Sequence, residues 1–480
     1  MPLRAALNWS IPKADNAYKH KKQKPKVRPP MKMHPEAANN FNEKANALPG
    51  QLTIRAARNQ SARQGFVPDV HITANIPFQD IIGEIRMSRR DREGNEAGKA
   101  FHHNGETIEL VGEAYQTLKK IAVGMQKSPE LRDSVSIQLL IDLIFEWVKN
   151  SYLRTTGHAM TDYVLMESEK RIKTLEVWIP IASTHVQSEF QFGKMTIKTI
   201  TRAMLDRWEA EFRQSHPDVP AGPDEFFLKW RKDVLGLAAA TMEIKAEPIR
   251  AYELASNEAE RTLDLLRCMS PQNCFPFVVS YSVPLGQEGP RSFQYLMTEN
   301  DKVAFSTRGY ERTPLDRWTI DDLYFREMKR FGLDALSTLQ NLKKPTPFQR
   351  EVIDALQLYG KSSTFRGSAD KLTYILNALE ALLLPNKMQS PQDLAERLAM
   401  LVDNTPTGRK GAYEMTLNIY DRRLVFVHGE HTASDMKLLE QFMSSSWAFF
   451  INCIAYANKY ETKDEFIRTI DNVKLSGGLK

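Results

Sequence analysis

Cysteine is nearly absent from this chain of 480 residues: Cys268, Cys274 and Cys453 are an odd number, with no CxxC pair and no His/Cys spacing suited to zinc. A disulfide-held scaffold is thereby excluded, and reduced thiols in a cytosolic protein are expected. Long hydrophobic runs are missing as well. The longest, Val135 to Val148 and Trp447 to Ala457, are interrupted by Asp142 and Glu146 or are too short to cross a bilayer, so no membrane partner is expected. Neither the apolar core of a secretory signal nor an amphipathic transit pattern occurs near Met1, which makes the cytoplasm the expected location. The phosphate loops GxxxxGK(S/T) and GxGxxG are lacking, as are HExxH, GxSxG and an EF-hand loop. No metal or cofactor is called for.

Charge of one sign is also scarce, except in one place. The formal balance is +6, from 65 Lys and Arg against 59 Asp and Glu. Between Lys19 and Lys32 lie seven bases (Lys19, Lys21, Lys22, Lys24, Lys26, Arg28, Lys32) and no acid, so the remaining 466 residues carry 58 bases against 59 acids. The body is neutral and the basicity belongs to an arm. With Tyr18 as its one neighbouring aromatic, the arm is suited to phosphate attraction more than to base stacking, which gives Lys19 to Arg28 a weak, sequence-blind RNA contact at most.

What is present is enough apolar residue, 42%, for a folded chain of several domains. Residues 1 to about 65, with Pro12, Pro25, Pro29, Pro30 and Pro35 and no sustained periodicity, read as a flexible arm or a segment that folds on a partner. Residues 66–310 read as mixed α/β. Gly112 to Lys149 is helical in pattern, with Leu139, Leu140, Leu143, Ile144, Trp147 and Val148 on one stripe. Leu175, Val177, Ile179 and Ile181 alternate as a strand does; short strands follow at 189–194 and 195–198, a helix over Met204 to Arg213 and a long one over Pro248 to Arg267. Phe277 to Val283 and Phe293 to Thr298 again read as strands.

Beyond Arg308 the strand signals stop. Thr346, Ser390, Thr432 and Thr462 each place a side-chain oxygen at an N-cap with a polar or acidic residue three positions on, and Ser368 precedes a further apolar-periodic run. Residues 319–480 therefore resolve into six or seven helices, an all-α bundle. The fold class is α+β and multidomain, with a helical bundle last.

Within that bundle, Leu417, Tyr420, Leu424 and Val427 form an apolar stripe at helical spacing, and Gly429 is placed to end the helix. His428 then falls in the last turn, where the helix dipole favours a positive ring and an imidazole is suited to proton exchange. Arg423 precedes it by five residues, about 140° round an ideal helix, so the two do not share a face unless the turn is irregular or a second copy of the helix supplies one of them. The ordinary alternatives are an ion pair of Arg423 with Asp421 or Glu414, and a helix-end contact for His428. For Glu380, on a Leu-rich helix, the ordinary alternative is burial beside an arginine such as Arg397.

The order Leu379-Glu380-Ala381-Leu382-Leu383, then Leu394 to Leu401 with Arg397, then Tyr420-x-x-Arg423-x-x-x-Val427-His428-Gly429 resembles the Apea-like HEPN domains, over about the last third of the chain. The resemblance implies metal-independent RNA cleavage in a cleft between two protomers, in anti-phage or abortive-infection systems. Carried over, His428 exchanges the proton and Arg423 holds the scissile phosphate; Tyr420 and Glu380 orient these groups, Arg397 adds a phosphate contact and Gly429 closes the motif. The partners so implied are RNA, a second copy or higher homo-oligomer, and a phage-derived or system-encoded protein trigger acting through residues 66–310. Many active members carry a polar residue straight after the motif arginine, and this chain has Leu424. The rival expectation is accordingly an inactive HEPN module serving as a dimerisation, nucleotide- or RNA-binding scaffold.

Overall fold

The computed structural model describes residues 31–56, 87–90, 96–104, 106–215, 223–289, 292–299, 302–309, 317–385, 390–429 and 431–475. Lys19, Lys21, Lys22, Lys24, Lys26 and Arg28 lie outside the described residues. The chain divides into two compact units, one of residues 1–130 and 141–170, the other of residues 131–140 and 171–480.

In the first unit, α1 (Pro35–Asn46) is followed by β1 (Thr53–Ala56), β2 (Met87–Arg90), β3 (Glu96–His103) and β4 (Glu106–Val111), which form an antiparallel sheet in the order β1-β4-β3-β2. Helices α2 (Gly112–Gln126), α3 (Ile137–Tyr152) and α4 (Met160–Arg171) follow. Two sequence expectations are corrected here. The region 1–65 is not an arm throughout: Ala45 and Leu48 are fully buried and the Phe41 ring lies against Gly124 of α2, so residues from Met33 onward join the fold. The helical run from Gly112 to Lys149 is two helices, because Ser128 and Pro129 interrupt it. Lys99 of β3 is buried between Glu96 and Asp142, each 2.8 Å away, and the Tyr115 hydroxyl donates to Glu96 at 2.7 Å. Two carboxylates at hydrogen-bond distance offset the cost of burying this ammonium.

The second unit begins with β5 (Lys173–Pro180), β6 (Thr184–Val186), β7 (Phe190–Phe192) and β8 (Met195–Thr199). Next come α5 (Arg202–Ser215), α6 (Pro223–Val234), β9 (Ala238–Ala246) and α7 (Pro248–Arg267). The sheet has the order β5-β9-β8-β7 with all neighbours antiparallel. Helix α7 starts where the sequence places it: Pro248 opens the first turn and the Glu247 carboxylate accepts from the amides of Ile249 and Arg250 at 2.9 and 2.8 Å. Strands β10 (Ser292–Glu299) and β11 (Lys302–Gly309) form a hairpin, and β12 (Trp318–Ile320) pairs parallel with β6. Phe277 to Val283, expected as a strand, is irregular. Proline brackets it at 276 and 284, and its polar backbone atoms go to scattered partners: the Ser280 amide donates to the Ser363 carbonyl at 2.8 Å, and the Val278 carbonyl accepts from the Lys371 ammonium.

Among the described residues eight helices follow where six or seven were expected: α8 (Asp322–Arg330), α9 (Leu333–Gln340), α10 (Pro347–Ser362), α11 (Ser368–Leu383), α12 (Pro391–Val402), α13 (Pro406–His428), α14 (Ala433–Tyr456) and α15 (Lys463–Leu475). Thr346, Ser390 and Thr432 are N-caps with reciprocal capping boxes. Ser368 is not a cap; Gly367 holds that place, and the helix begins without a side-chain bond. The fold is thus α+β with a helical C-terminal region, and that region shares one hydrophobic core with the β5-β9-β8-β7 sheet through α7. Gly360 permits the closest approach, since a Cβ there would lie 1.7 Å from the Asp264 carbonyl of α7. Among the described residues no helix is long and apolar enough to cross a membrane.

Candidate functional site

Arg423 and His428 both lie on α13, which is regular α-helix from Pro406 to His428. It ends as the sequence requires: Gly429 takes the left-handed conformation (φ 71°) and its amide turns back to the carbonyls of Val425 and Phe426. With no irregular turn between them, Arg423 and His428 diverge by about 140°. Both side chains are exposed, and neither makes a hydrogen bond or ion pair among the described residues. The ion pair with Glu414 or Asp421 that would be the ordinary use of Arg423 is not formed; the Glu414 carboxylate lies 3.8 Å from Lys410.

The apolar stripe is buried only in its first part. Ala412, Thr416, Ile419 and Tyr420 are buried, but Leu424 and Val427 are 59% and 58% exposed. Arg423, four residues after Ile419 and three after Tyr420, continues the buried face yet is exposed. The last turns of α13 therefore overhang the bundle. Phe426 alone turns back into it, its ring 6.0 Å from that of His431.

Two of the expected supporting residues meet. The Tyr420 hydroxyl donates to Glu380 Oε1 of α11 at 2.8 Å. Burial holds the phenol well above its usual range, the Glu380 carboxylate adds to this, and the nearby Arg423 charge opposes it. Tyr420 thus remains a protonated donor. Arg397 goes elsewhere, which corrects both its expected phosphate contact and its suggested pairing with Glu380. It is buried on α12, bound to Asp471 of α15 through Nε and Nη2, each at 3.0 Å, and it donates through Nη1 to the Leu383 carbonyl at 2.8 Å. A buried guanidinium so engaged ties α12 to α15 and is no open phosphate fork.

The arginine with an ion-pair partner at this end of α13 is Arg422, which bonds Asp435 in the capping box of α14. The Thr432 hydroxyl and amide, then Arg422, hold the Asp435 carboxyl down to about 2. The capping box was legible in the sequence; its choice of Arg422 over Arg423 depends on the angle at which α14 leaves Gly429. Among the described residues no group of three His, Cys, Asp or Glu side chains is placed to hold a metal ion. What the site offers is an exposed guanidinium, an exposed imidazole, a protonated phenol beside a carboxylate, and two exposed apolar side chains. No family model, curated protein or solved structure matches this chain.

Proposed function

We propose that this chain is a metal-independent endoribonuclease of the HEPN type, acting as a homodimer in bacterial defence against phage, with a protein trigger and RNA as its partners. The supporting observation is the placement of Arg423 and His428, both exposed without partners among the described residues and diverging on one regular helix. Val427 and Leu424 lie between them, about 40° and 100° round from Arg423. An isologous contact between two copies over this apolar pair would bring Arg423 of one copy toward His428 of the other.

At such a composite site the 2′-oxygen attacks phosphorus as the P–O5′ bond breaks, giving a cyclic phosphate and a 5′-hydroxyl. His428 takes the 2′-hydroxyl proton or supplies the one the 5′-oxygen gains. Arg423 binds the non-bridging oxygens, where charge develops. Tyr420, fixed by Glu380 one turn before Arg423, positions that side of the cleft. Leu424 favours a second reading, a non-cleaving HEPN scaffold, because an apolar side chain stands where a polar group would assist catalysis.

RNA cleavage under phage challenge distinguishes the two. Cells carrying the wild type are expected to lose intact RNA, and His428→Ala or Arg423→Ala is expected to slow cleavage by about 10²–10⁴-fold. Intact RNA with undiminished protection in both mutants would remove the nuclease reading. RNA binding without product, unchanged in His428→Ala, would establish the scaffold.

A further inference from the structure

A cavity of about 400 Å³ lies at the opposite end of α11 from Glu380, among the last two turns of α7, the end of α10 and the irregular segment 279–289. Its size is in the range of small-molecule sites. Glu260, Asp264 and Glu288 with Arg267, Lys361 and Arg366 bring both charge signs into it in equal number, and Tyr281 and Phe365 bring aromatic surface. The free carbonyls at the end of α10, which would add negative charge, are already capped. The Gly360 carbonyl accepts from Arg267 Nε at 3.1 Å and from the Ser363 hydroxyl at 2.8 Å, and the Lys361 carbonyl accepts from Thr364 at 2.8 Å.

The charged groups are held in distinct ways. Arg267, fully buried in the floor, is neutralised by Asp264. Glu260 and Asp264 are four residues apart and so share one face of α7. Gln287 Nε2 donates to Glu260 Oε1 at 2.8 Å and leaves its second oxygen to accept a further bond. From the end of α10 and the residues after it, Arg366 Nη2 donates to the Tyr281 hydroxyl at 2.9 Å, and the exposed Lys361 ammonium makes no ion pair among the described residues. Tyr374 packs against the Phe365 ring at 4.5 Å and 30°, which fixes that ring at the cavity wall.

We propose that this cavity binds a ribonucleoside monophosphate, with its phosphate on Lys361 and Arg366, its ribose hydroxyls on Glu260 and Asp264, and its base on Phe365 and Tyr281. A carboxylate accepts from ribose hydroxyls and repels phosphate, which sets the direction of the ligand. A free amino acid would satisfy both charges but leave much of the volume empty. The inference is independent of the nuclease reading and stands whether or not α13 cleaves RNA.

Calorimetric titration of the full-length protein with AMP, GMP, CMP and UMP tests it, with 2′-deoxy-AMP, inorganic phosphate and glutamine as comparisons. At least one ribonucleotide is expected to bind with one site per chain. Lys361→Gln is expected to weaken it about tenfold, and Glu260→Gln to remove most of a roughly tenfold preference for the ribose over the deoxyribose form, each the worth of one charge-assisted hydrogen bond. Both residues are exposed, and an unchanged thermal melt verifies that the variants fold. The proposal is overturned if no ribonucleotide binds at millimolar concentration, if phosphate alone binds as tightly, if glutamine binds in their place, or if Lys361→Gln leaves the affinity unchanged.

Discussion

Lys371 has no accessible surface, and what its ammonium meets is backbone: the carbonyls of Val278 and, at 3.4 Å, Phe275. Burial alone pulls it down to about 8. The unfolded chain holds that proton to about pH 10.4, so between pH 8 and 10.4 the unfolded state binds more protons than the folded one, and the lysine's contribution makes stability rise with pH. The buried thiols of Cys268 and Cys453 act oppositely, because burial raises both and only the unfolded chain ionises them near pH 8.5. The wild type minus Lys371→Met difference isolates the lysine: in chemical denaturation it should move by about 2 kcal/mol in favour of the wild type between pH 7.5 and 9.5. A flat difference would show that water reaches the ammonium. Residues of this kind were the least legible in the sequence. Lys371 in the first turn of α11 looks like any exposed helix lysine, and Arg397 looks free until α15 brings Asp471 to it. The helix that carries Arg423, His428 and Tyr420 could be read from spacing because it and its glycine stop are local; the partner of each charged side chain is a long-range fact.

Helix α13 shows how local rules and packing part company. Thr405 caps its start by accepting from the Gly408 amide, Gly429 ends it, and both ends are readable from residue type. An apolar stripe ordinarily marks a buried face, yet Leu424 and Val427 at its end are exposed. Burial needs a neighbour as well as a stripe, and the last turns of α13 outrun theirs. The strand expected at Phe277 to Val283 failed for the same class of reason, an apolar run without a strand to pair with. Exposed apolar side chains flanked by Arg423 and His428 are what a self-association face looks like. On the proposed composite site, Leu424→Glu should shift the protein from dimer to monomer in light scattering and abolish cleavage, while leaving the melting temperature of the monomer nearly unchanged. If the wild type is already monomeric at micromolar concentration with trigger present, or if Leu424→Glu remains dimeric, the composite site is wrong.

Charge organises the molecule as a whole. Residues 319–480 hold 21 bases and 20 acids, so the helical region that carries α13 has no broad positive field with which to collect RNA. On the proposed function, its attraction for a polyanion would come from a few local arginines or from elsewhere in the chain, and the concentrated source elsewhere is the run from Lys19 to Arg28. These two sources differ in what salt does to them. Contacts from a run of bases to phosphates release counterions, with a slope in log affinity against log salt of about 0.7 per phosphate neutralised on a single strand. Replacing Lys19, Lys21, Lys22, Lys24, Lys26 and Arg28 by glutamine should then reduce the salt slope of RNA binding by up to about 4, while the rate at saturating RNA stays at the wild-type value. The opposite pattern, an unchanged slope with a slower saturated rate, would move these six bases from long-range attraction into the cleavage site itself.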